Sequence, residues 1–228
     1  MKAPHPDTAR FTRLLHEEAL RAGVQRPIFE VRIVKSPQKT ISGYFDDPDK
    51  AAAAIADKDG KHEAIYITPN PTHVDCFARA ANHLKPYADA TTSDAQIIRR
   101  LWLLIDIDPV RPKGVSSTDP QHEAAFRMAL EIRSFLAGTG FGKPIVGDSG
   151  NGAHLMYRID MPNDEPAKIL IKNCLEALDK RFSNAVVKID TTTFNASRIW
   201  KVYGTMARKG EDLPEQPHRR AWLVPEDA

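Results

Sequence analysis

Two aspartates, Asp106 and Asp108, follow a run of five apolar residues at positions 101–105. Side chains alternate across a β-strand, so both carboxylates would project from one face while Ile107 points to the other. The run fills both faces of the strand with apolar side chains, which is typical of a central strand that is covered on both sides. Two like charges on such an element cost free energy unless a cation neutralises them, and carboxylate oxygens suit Mg²⁺ or Mn²⁺ rather than zinc. The alternative is a strand end with solvated acids, and we favour the metal site.

A third aspartate, Asp190, ends a mostly apolar segment at positions 186–189 in the same way. In a split-βαβ sheet, the first and last strands can bring three carboxylates together. We therefore expect Asp190 to join Asp106 and Asp108 as a catalytic, metal-binding residue.

A glycine-rich segment at positions 147–152 precedes His154. Glycines let backbone N–H groups turn toward an anion, and Ser149 and His154 add hydrogen-bond donors, so the segment could cradle phosphate. It opens a strand rather than a helix and lacks the Gly-Lys-Ser/Thr of a Walker motif. The alternative interpretation is an ordinary hairpin turn with a structural histidine. We predict nucleotide contacts for Ser149, Asn151 and His154.

Two cations, Arg198 and Lys201, follow Asp190 and flank the apolar residues Ile199 and Trp200. Fixed cations beside an acidic centre could clamp a triphosphate. The alternative is a pair of surface bases whose stems cover the apolar neighbours. For the DNA template we predict contacts from the later bases of this basic region, Arg208, Lys209, Arg219 and Arg220.

The elements that must position these residues follow from apolar periodicity. We predict helices at 8–22, 49–56, 74–84, 120–136 and 165–182, and strands at 28–34, 41–45, 64–68, 101–108, 144–146, 154–160 and 186–190. From residue 101 onward the order is β-α-β-β-α-β, which is the split-βαβ arrangement. The expected fold class is α/β (α+β): one module over residues 1–228, with an N-terminal α/β subdomain at about 1–100 and an RNA-recognition-motif-like (RRM-like) subdomain at 101–228.

Composition narrows the class of protein. The 228 residues carry 32 Lys and Arg against 30 Asp and Glu, a formal charge of +2, which excludes a general polycation and makes any nucleic-acid surface local. The two cysteines form no CxxC pair, so neither a disulfide framework nor a zinc knuckle is indicated.

No apolar run approaches the roughly 20 residues that span a bilayer, and no signal peptide is recognisable. We expect a cytoplasmic protein without a membrane partner.

The segments 103–108, 149–154 and 188–190 resemble, in order, the three motifs of the archaeo-eukaryotic primase superfamily, and the stretch 198–205 matches as well. Within that superfamily the chain is similar to the bifunctional primase–polymerase (prim-pol) domains of bacteria, phages and plasmids. A zinc-binding element found in some relatives is missing, and no Walker motif of a fused helicase occurs.

The resemblance implies an RRM-like primase catalytic core in which Asp106, Asp108 and Asp190 bind Mg²⁺ or Mn²⁺ and His154 contacts the incoming triphosphate. It implies template-directed nucleotidyl transfer by two metals, synthesising or extending primers on single-stranded DNA. The expected partners are the DNA template, NTP or dNTP, and a replicative helicase as a domain or a separate protein.

Other classes of protein use related folds. A rolling-circle initiator or relaxase would need a His-x-His pair, and none of the eight histidines forms one. A nucleotide cyclase also uses carboxylates on this topology and would form its product without a template. A catalytically silent RRM-like module should display exposed aromatic residues on its sheet, where this sequence predicts aspartates.

Overall fold

The computed structural model describes residues 2–37 and 39–225, which form a mixed α/β fold with antiparallel sheets. The α-helices are α1 (Pro6–Arg21), α2 (Pro48–Lys58), α3 (Asp119–Gly138) and α4 (Glu165–Phe182). The strands are β1 (Phe29–Ser36), β2 (Lys39–Phe45), β3 (Tyr66–Ile67), β4 (Arg99–Pro109), β5 (Ile145–Asp148), β6 (Ala153–Pro162), β7 (Val187–Ile189), β8 (Trp200–Lys201), β9 (Met206–Ala207), β10 (Arg219–Arg220) and β11 (Trp222–Leu223).

The larger sheet has the strand order β11-β5-β6-β4-β7, and every neighbouring pair in it is antiparallel. Along the chain its elements run β4-α3-β5-β6-α4-β7, so the predicted split-βαβ arrangement is confirmed. Strand β4 lies between β6 and β7, which makes it a central strand as its apolar run indicated.

Alternate residues of β4 serve two different cores. Leu103, Ile105 and Ile107 pack with α3 and α4 on one face of the sheet. Trp102 and Leu104 pack on the other face, into the core formed with the N-terminal elements. Because Asp106 and Asp108 share the parity of Trp102 and Leu104, their carboxylates face the N-terminal half of the molecule.

The second sheet has the order β2-β1-β3-β8, with α1 and α2 sharing its apolar core. Strand β8 belongs to the C-terminal half of the sequence and pairs with β3, where Tyr66 lies opposite Lys201. This second sheet is thus completed by a strand from beyond the expected subdomain boundary near residue 100. A cleft lies between the two sheets at this point.

Helix starts follow their capping residues. Asp47 caps α2 by accepting from the N–H groups of Asp49 and Lys50, with Pro48 in the first turn as expected. Thr118 and the Gln121 side chain form a reciprocal capping box that starts α3. The other predicted elements agree to within a few residues, and the exception is the helix predicted at 74–84.

That prediction was wrong, because only a 3₁₀ helix at Val74–Arg79 is present. After it, the backbone turns to the edge of β2. Tyr44 N–H donates to the Ala80 carbonyl at 2.9 Å, and Ser42 and Lys85 exchange backbone hydrogen bonds. Backbone pairing with a sheet edge replaces the helix here, and apolar periodicity along the chain does not predict such a long-range contact.

Across the residues described, none of the helices has the length and apolar character to cross a bilayer.

Candidate active site

A cavity of about 380 Å³ lies in the cleft between the two sheets. Its lining includes all three predicted metal ligands, Asp106, Asp108 and Asp190, although Asp190 is distant from the other two in sequence. The pairing of β7 with β4 explains the convergence, because the Asp190 N–H donates to the Asp106 carbonyl at 2.9 Å. The three aspartates therefore line one cavity at the end of the sheet, and their joint binding of a metal stays a prediction.

Asp106 and Asp108 have different partners and opposite pKa shifts. Burial alone would raise the pKa of Asp106, but His154, whose Nε2 lies 3.4 Å from Asp106 Oδ1, lowers it below its usual value. Burial and the neighbouring Asp106 charge raise the pKa of Asp108, and the Arg111 guanidinium at 3.3 Å offsets this only in part. Two adjacent carboxylates thus disfavour simultaneous ionisation, as expected where a cation would bind.

Asp190 already forms hydrogen bonds with Thr192 and an ion pair with Arg198. Its Oδ1 caps the 3₁₀ helix Thr191–Phe194 by accepting from Thr192 N–H at 2.9 Å and from the Thr192 hydroxyl at 2.7 Å. Its Oδ2 forms an ion pair with Arg198. In the described part of the chain, no three His, Cys, Asp or Glu side chains are grouped as metal ligands. The all-oxygen pair Asp106 and Asp108 suits a hard divalent ion, whereas Asp190 would first have to leave Arg198.

His154 is buried at 3% exposure and sits in a chain of polar aromatic groups. Trp200 Nε1–H donates to the Tyr203 hydroxyl at 3.0 Å, and that hydroxyl lies 3.0 Å from His154 Nδ1. The imidazole also stacks on the Trp200 ring, with centroids 3.9 Å apart. Because the indole can only donate, the hydroxyl hydrogen is free to bond His154 Nδ1, which leaves Nε2–H to face Asp106. His154 lines the cavity. Its contact with a triphosphate stays a prediction.

The glycine-rich segment is built differently from the expected phosphate cradle. Ser149 N–H bonds the Gly152 carbonyl, and Gly150 N–H bonds Asp148. The N–H groups of Asn151 and Gly152 both donate to Ser149 Oγ. The interpretation of these backbone groups as free anion donors was wrong, because the turn consumes them internally.

Two of the glycines instead allow close packing. A Cβ at Gly147 would lie 2.3 Å from the Tyr203 ring, and one at Gly152 would lie 2.2 Å from the Ile107 carbonyl oxygen. The small residues thus let β5 approach Tyr203 and let β6 approach β4 beside Asp108. Ser149 and Asn151 line the cavity, with Asn151 Oδ1 accepting from Ser117 N–H at 2.9 Å.

Arg198 and Lys201 also line the cavity, but they differ in environment. Arg198 is partly exposed and holds Asp190. The Lys201 amine is buried and donates to Thr205 Oγ1 at 2.6 Å and to the Met206 carbonyl at 2.8 Å. The pKa of Lys201 is lowered to about 7, chiefly by burial; the charge of Asp59 opposes this shift, and the charges of Arg220 and Lys209 contribute to it.

Of the four bases predicted to bind template, only Lys209 lines this cavity. Arg208 donates to the Gly60 carbonyl, Arg219 pairs with Asp119, and Arg220 pairs with Asp59 at 2.9 Å. Three of the four are therefore engaged within the protein, and template binding through any of them stays a prediction.

Sequence reasoning missed Tyr66, Tyr203 and Arg111 as parts of the site. Tyr66 lines the cavity opposite Lys201, and burial with the nearby Glu63 raises its pKa to about 12. The close spacing of Trp200 and Tyr203 was visible in the sequence, but their contacts with His154 depend on the packing of distant segments in one core.

No protein-family model matches the sequence, and no curated protein matches it. Among solved structures, the chain is similar to the polymerase domain of Ligase D from Mycobacterium tuberculosis in complex with DNA. The TM-score is 0.45 and the identity 16%, over 93% of this chain and 79% of that one. It is also similar to the catalytic domain of primase RepB′ in complex with initiator DNA, with a TM-score of 0.44 and 10% identity, over 94% of this chain and 84% of that one. Both similarities concern the fold, at low sequence identity.

Proposed function

We propose that this protein catalyses template-directed nucleotidyl transfer, synthesising or extending primers on single-stranded DNA. The observation that carries the proposal is the composition of one cavity, where three aspartates at strand ends meet His154, Arg198 and Lys201. Transfer from a nucleoside triphosphate needs acidic ligands for metal ions together with cations for the phosphates. Both kinds of group are present within a single cleft.

The protein would supply positioning and charge rather than a nucleophile. Asp106 and Asp108, together with Asp190 once it leaves Arg198, would hold Mg²⁺ or Mn²⁺. Such ions make a 3′-hydroxyl more acidic and stabilise the pyrophosphate as it departs.

The ion pair between Arg198 and Asp190 links the two halves of the site. Triphosphate oxygens can replace the carboxylate on the guanidinium, since Arg binds both in the same bidentate manner. That exchange would release Asp190 toward the other two carboxylates. Nucleotide binding would therefore complete the acidic site.

An incorporation assay tests the proposal. The protein is given single-stranded DNA, primed and unprimed, with Mg²⁺ or Mn²⁺ and each NTP and dNTP separately. We expect addition of the nucleotide that complements the template base. Product formed equally well without template would favour a cyclase or terminal transferase, and nucleotide binding without any product would favour a silent binding module.

A further inference from the structure

Lys201 combines deep burial with the absence of a carboxylate partner. Its side chain is 5% exposed, and among the described residues no Asp or Glu oxygen lies within ion-pair distance of its amine. The carboxylate whose charge acts on it is Asp59, which is itself paired with Arg220. A buried ammonium without a counter-ion is costly, so the site favours the neutral amine until an anion arrives.

The hydrogen bonds of the amine fit its neutral form. Thr205 Oγ1 gives its own hydrogen to the Val202 carbonyl at 2.7 Å, so it can only accept from Lys201. The Met206 carbonyl accepts a second hydrogen. A neutral amine has two hydrogens and an ammonium has three. The third hydrogen of the charged form has no acceptor among the described residues.

Lys201 is one of the residues that line the cavity. Lys201 lies directly opposite Tyr66 in the sheet, and cross-strand partners project to the same face. Both residues line the cleft that contains Asp106, Asp108 and Asp190. A phosphate oxygen in this cleft would supply both the missing counter-charge and the missing acceptor.

Resting on the proposed nucleotidyl transfer, we propose that Lys201 is a catalytic proton donor to the departing pyrophosphate. The attacking hydroxyl oxygen forms a bond to the α-phosphorus, and the bond from that phosphorus to the bridging oxygen breaks. The ammonium of Lys201 gives its third proton to the pyrophosphate and becomes a neutral amine. The hydroxyl proton leaves to water, and the amine regains a proton from water before the next cycle.

The charges around Lys201 suit such a donor. Burial lowers the pKa of its amine to about 7, Arg220 and Lys209 act in the same direction, and Asp59 opposes them. The phenol of Tyr66, which faces it from β3, stays protonated because its pKa is raised to about 12. An acid works best when its pKa lies near the operating pH, and bound polyphosphate would raise the pKa of the amine above 7.

The test compares leaving groups in single-turnover nucleotide addition. Wild type, Lys201→Arg and Lys168→Arg are given triphosphates whose β,γ-bridge is CF2 or CH2, because the CF2 analogue releases the less basic pyrophosphate. Arginine keeps the charge but holds its proton. We expect Lys201→Arg to lose about 10²-fold in rate and to prefer the CF2 analogue about tenfold more strongly than wild type does. Lys168→Arg, at a partly exposed lysine paired with Glu165 on α4, should keep the wild-type preference.

If Lys201→Arg prefers the CF2 analogue no more strongly than wild type does, the inference is overturned, and Lys201 serves only to bind phosphate. If wild type adds no nucleotide, the proposed function fails, and the inference falls with it for that separate reason. Should the variant not fold, calorimetry on wild type decides. Inorganic triphosphate is bound at pH 8 in two buffers of different ionisation enthalpy. Uptake of about one proton supports the inference, because the amine is neutral before binding. No uptake overturns it.

Discussion

Asp108 bears an unfavourable charge in the cleft, because burial and Asp106 both raise its pKa. A folded-state pKa above the unfolded value means that ionisation near neutral pH destabilises the fold, and the penalty disappears as pH falls through the folded pKa. We therefore expect Asp108→Asn to raise the free energy of unfolding of the metal-free protein at pH 7. The gain should shrink in acid, which chemical denaturation across pH will measure. A stability loss at pH 7 that persists in acid would contradict this.

Arg198 is expected to serve the nucleotide rather than the template. Removing a charge-assisted hydrogen bond costs about 1.5–3 kcal/mol, so Arg198→Ala should weaken nucleotide binding by that amount. It also frees Asp190, so affinity for Mn²⁺ without nucleotide should rise. A lost contact to single-stranded DNA would flatten the salt dependence of template binding by about 0.7 in log–log slope. Such a change, with nucleotide affinity intact, would reassign Arg198 to the template.

Tyr203 supports His154 through its hydroxyl, which also receives the Trp200 indole hydrogen. Tyr203→Phe leaves both groups buried without that partner, and we expect a loss of about 1–3 kcal/mol in stability. Tyr157→Phe is the matched control, because the Tyr157 hydroxyl is buried without a partner among the described residues and its removal should be neutral or stabilising. Equal effects of the two variants on urea denaturation would refute the assigned role of the Tyr203 hydroxyl.

At the scale of elements, the glycine-rich segment 147–152 allows close packing of β5 and β6 against their neighbours. The methyl group of Gly147→Ala would enter the Tyr203 ring, so we expect a loss of about 1–3 kcal/mol from overpacking. Gly142→Ala, where no described atom beyond the adjacent residues lies within 4 Å of the new Cβ, should stay within about 0.5 kcal/mol of wild type. Thermal denaturation of both variants measures the difference, and an unaffected Gly147→Ala would show that Tyr203 can move aside.

Two features of the strands were predictable from the sequence. The alternation rule alone predicted that Asp106 and Asp108 share a face, and strand order predicted the approach of Asp190. Both are local or topological properties. The internal hydrogen bonds of the glycine turn are local, but they depend on a turn geometry that periodicity does not record. The replacement of a helix at 74–84 by an edge contact with β2 depends on distant backbone.

At the scale of the whole molecule, the cleft exists because two sheets from different parts of the chain share one core. Strand β8 is only two residues long, so no sequence pattern predicts it, yet it carries Lys201 into the second sheet opposite Tyr66. The net charge of the chain likewise did not predict which basic residues face the cleft. Arg219 and Arg220 count toward the formal +2 but are paired with Asp119 and Asp59.

The central claim is that the acidic end of β4 catalyses templated nucleotide addition. The most direct measurement is single-nucleotide incorporation opposite each of the four template bases on primed single-stranded DNA. It compares wild type, the double variant Asp106→Asn/Asp108→Asn, and Asp89→Asn, a control at an exposed carboxylate paired with Lys85. We predict that wild type and Asp89→Asn insert the complementary nucleotide, and that the folded double variant inserts none. Templated insertion that survives in the double variant would contradict the account.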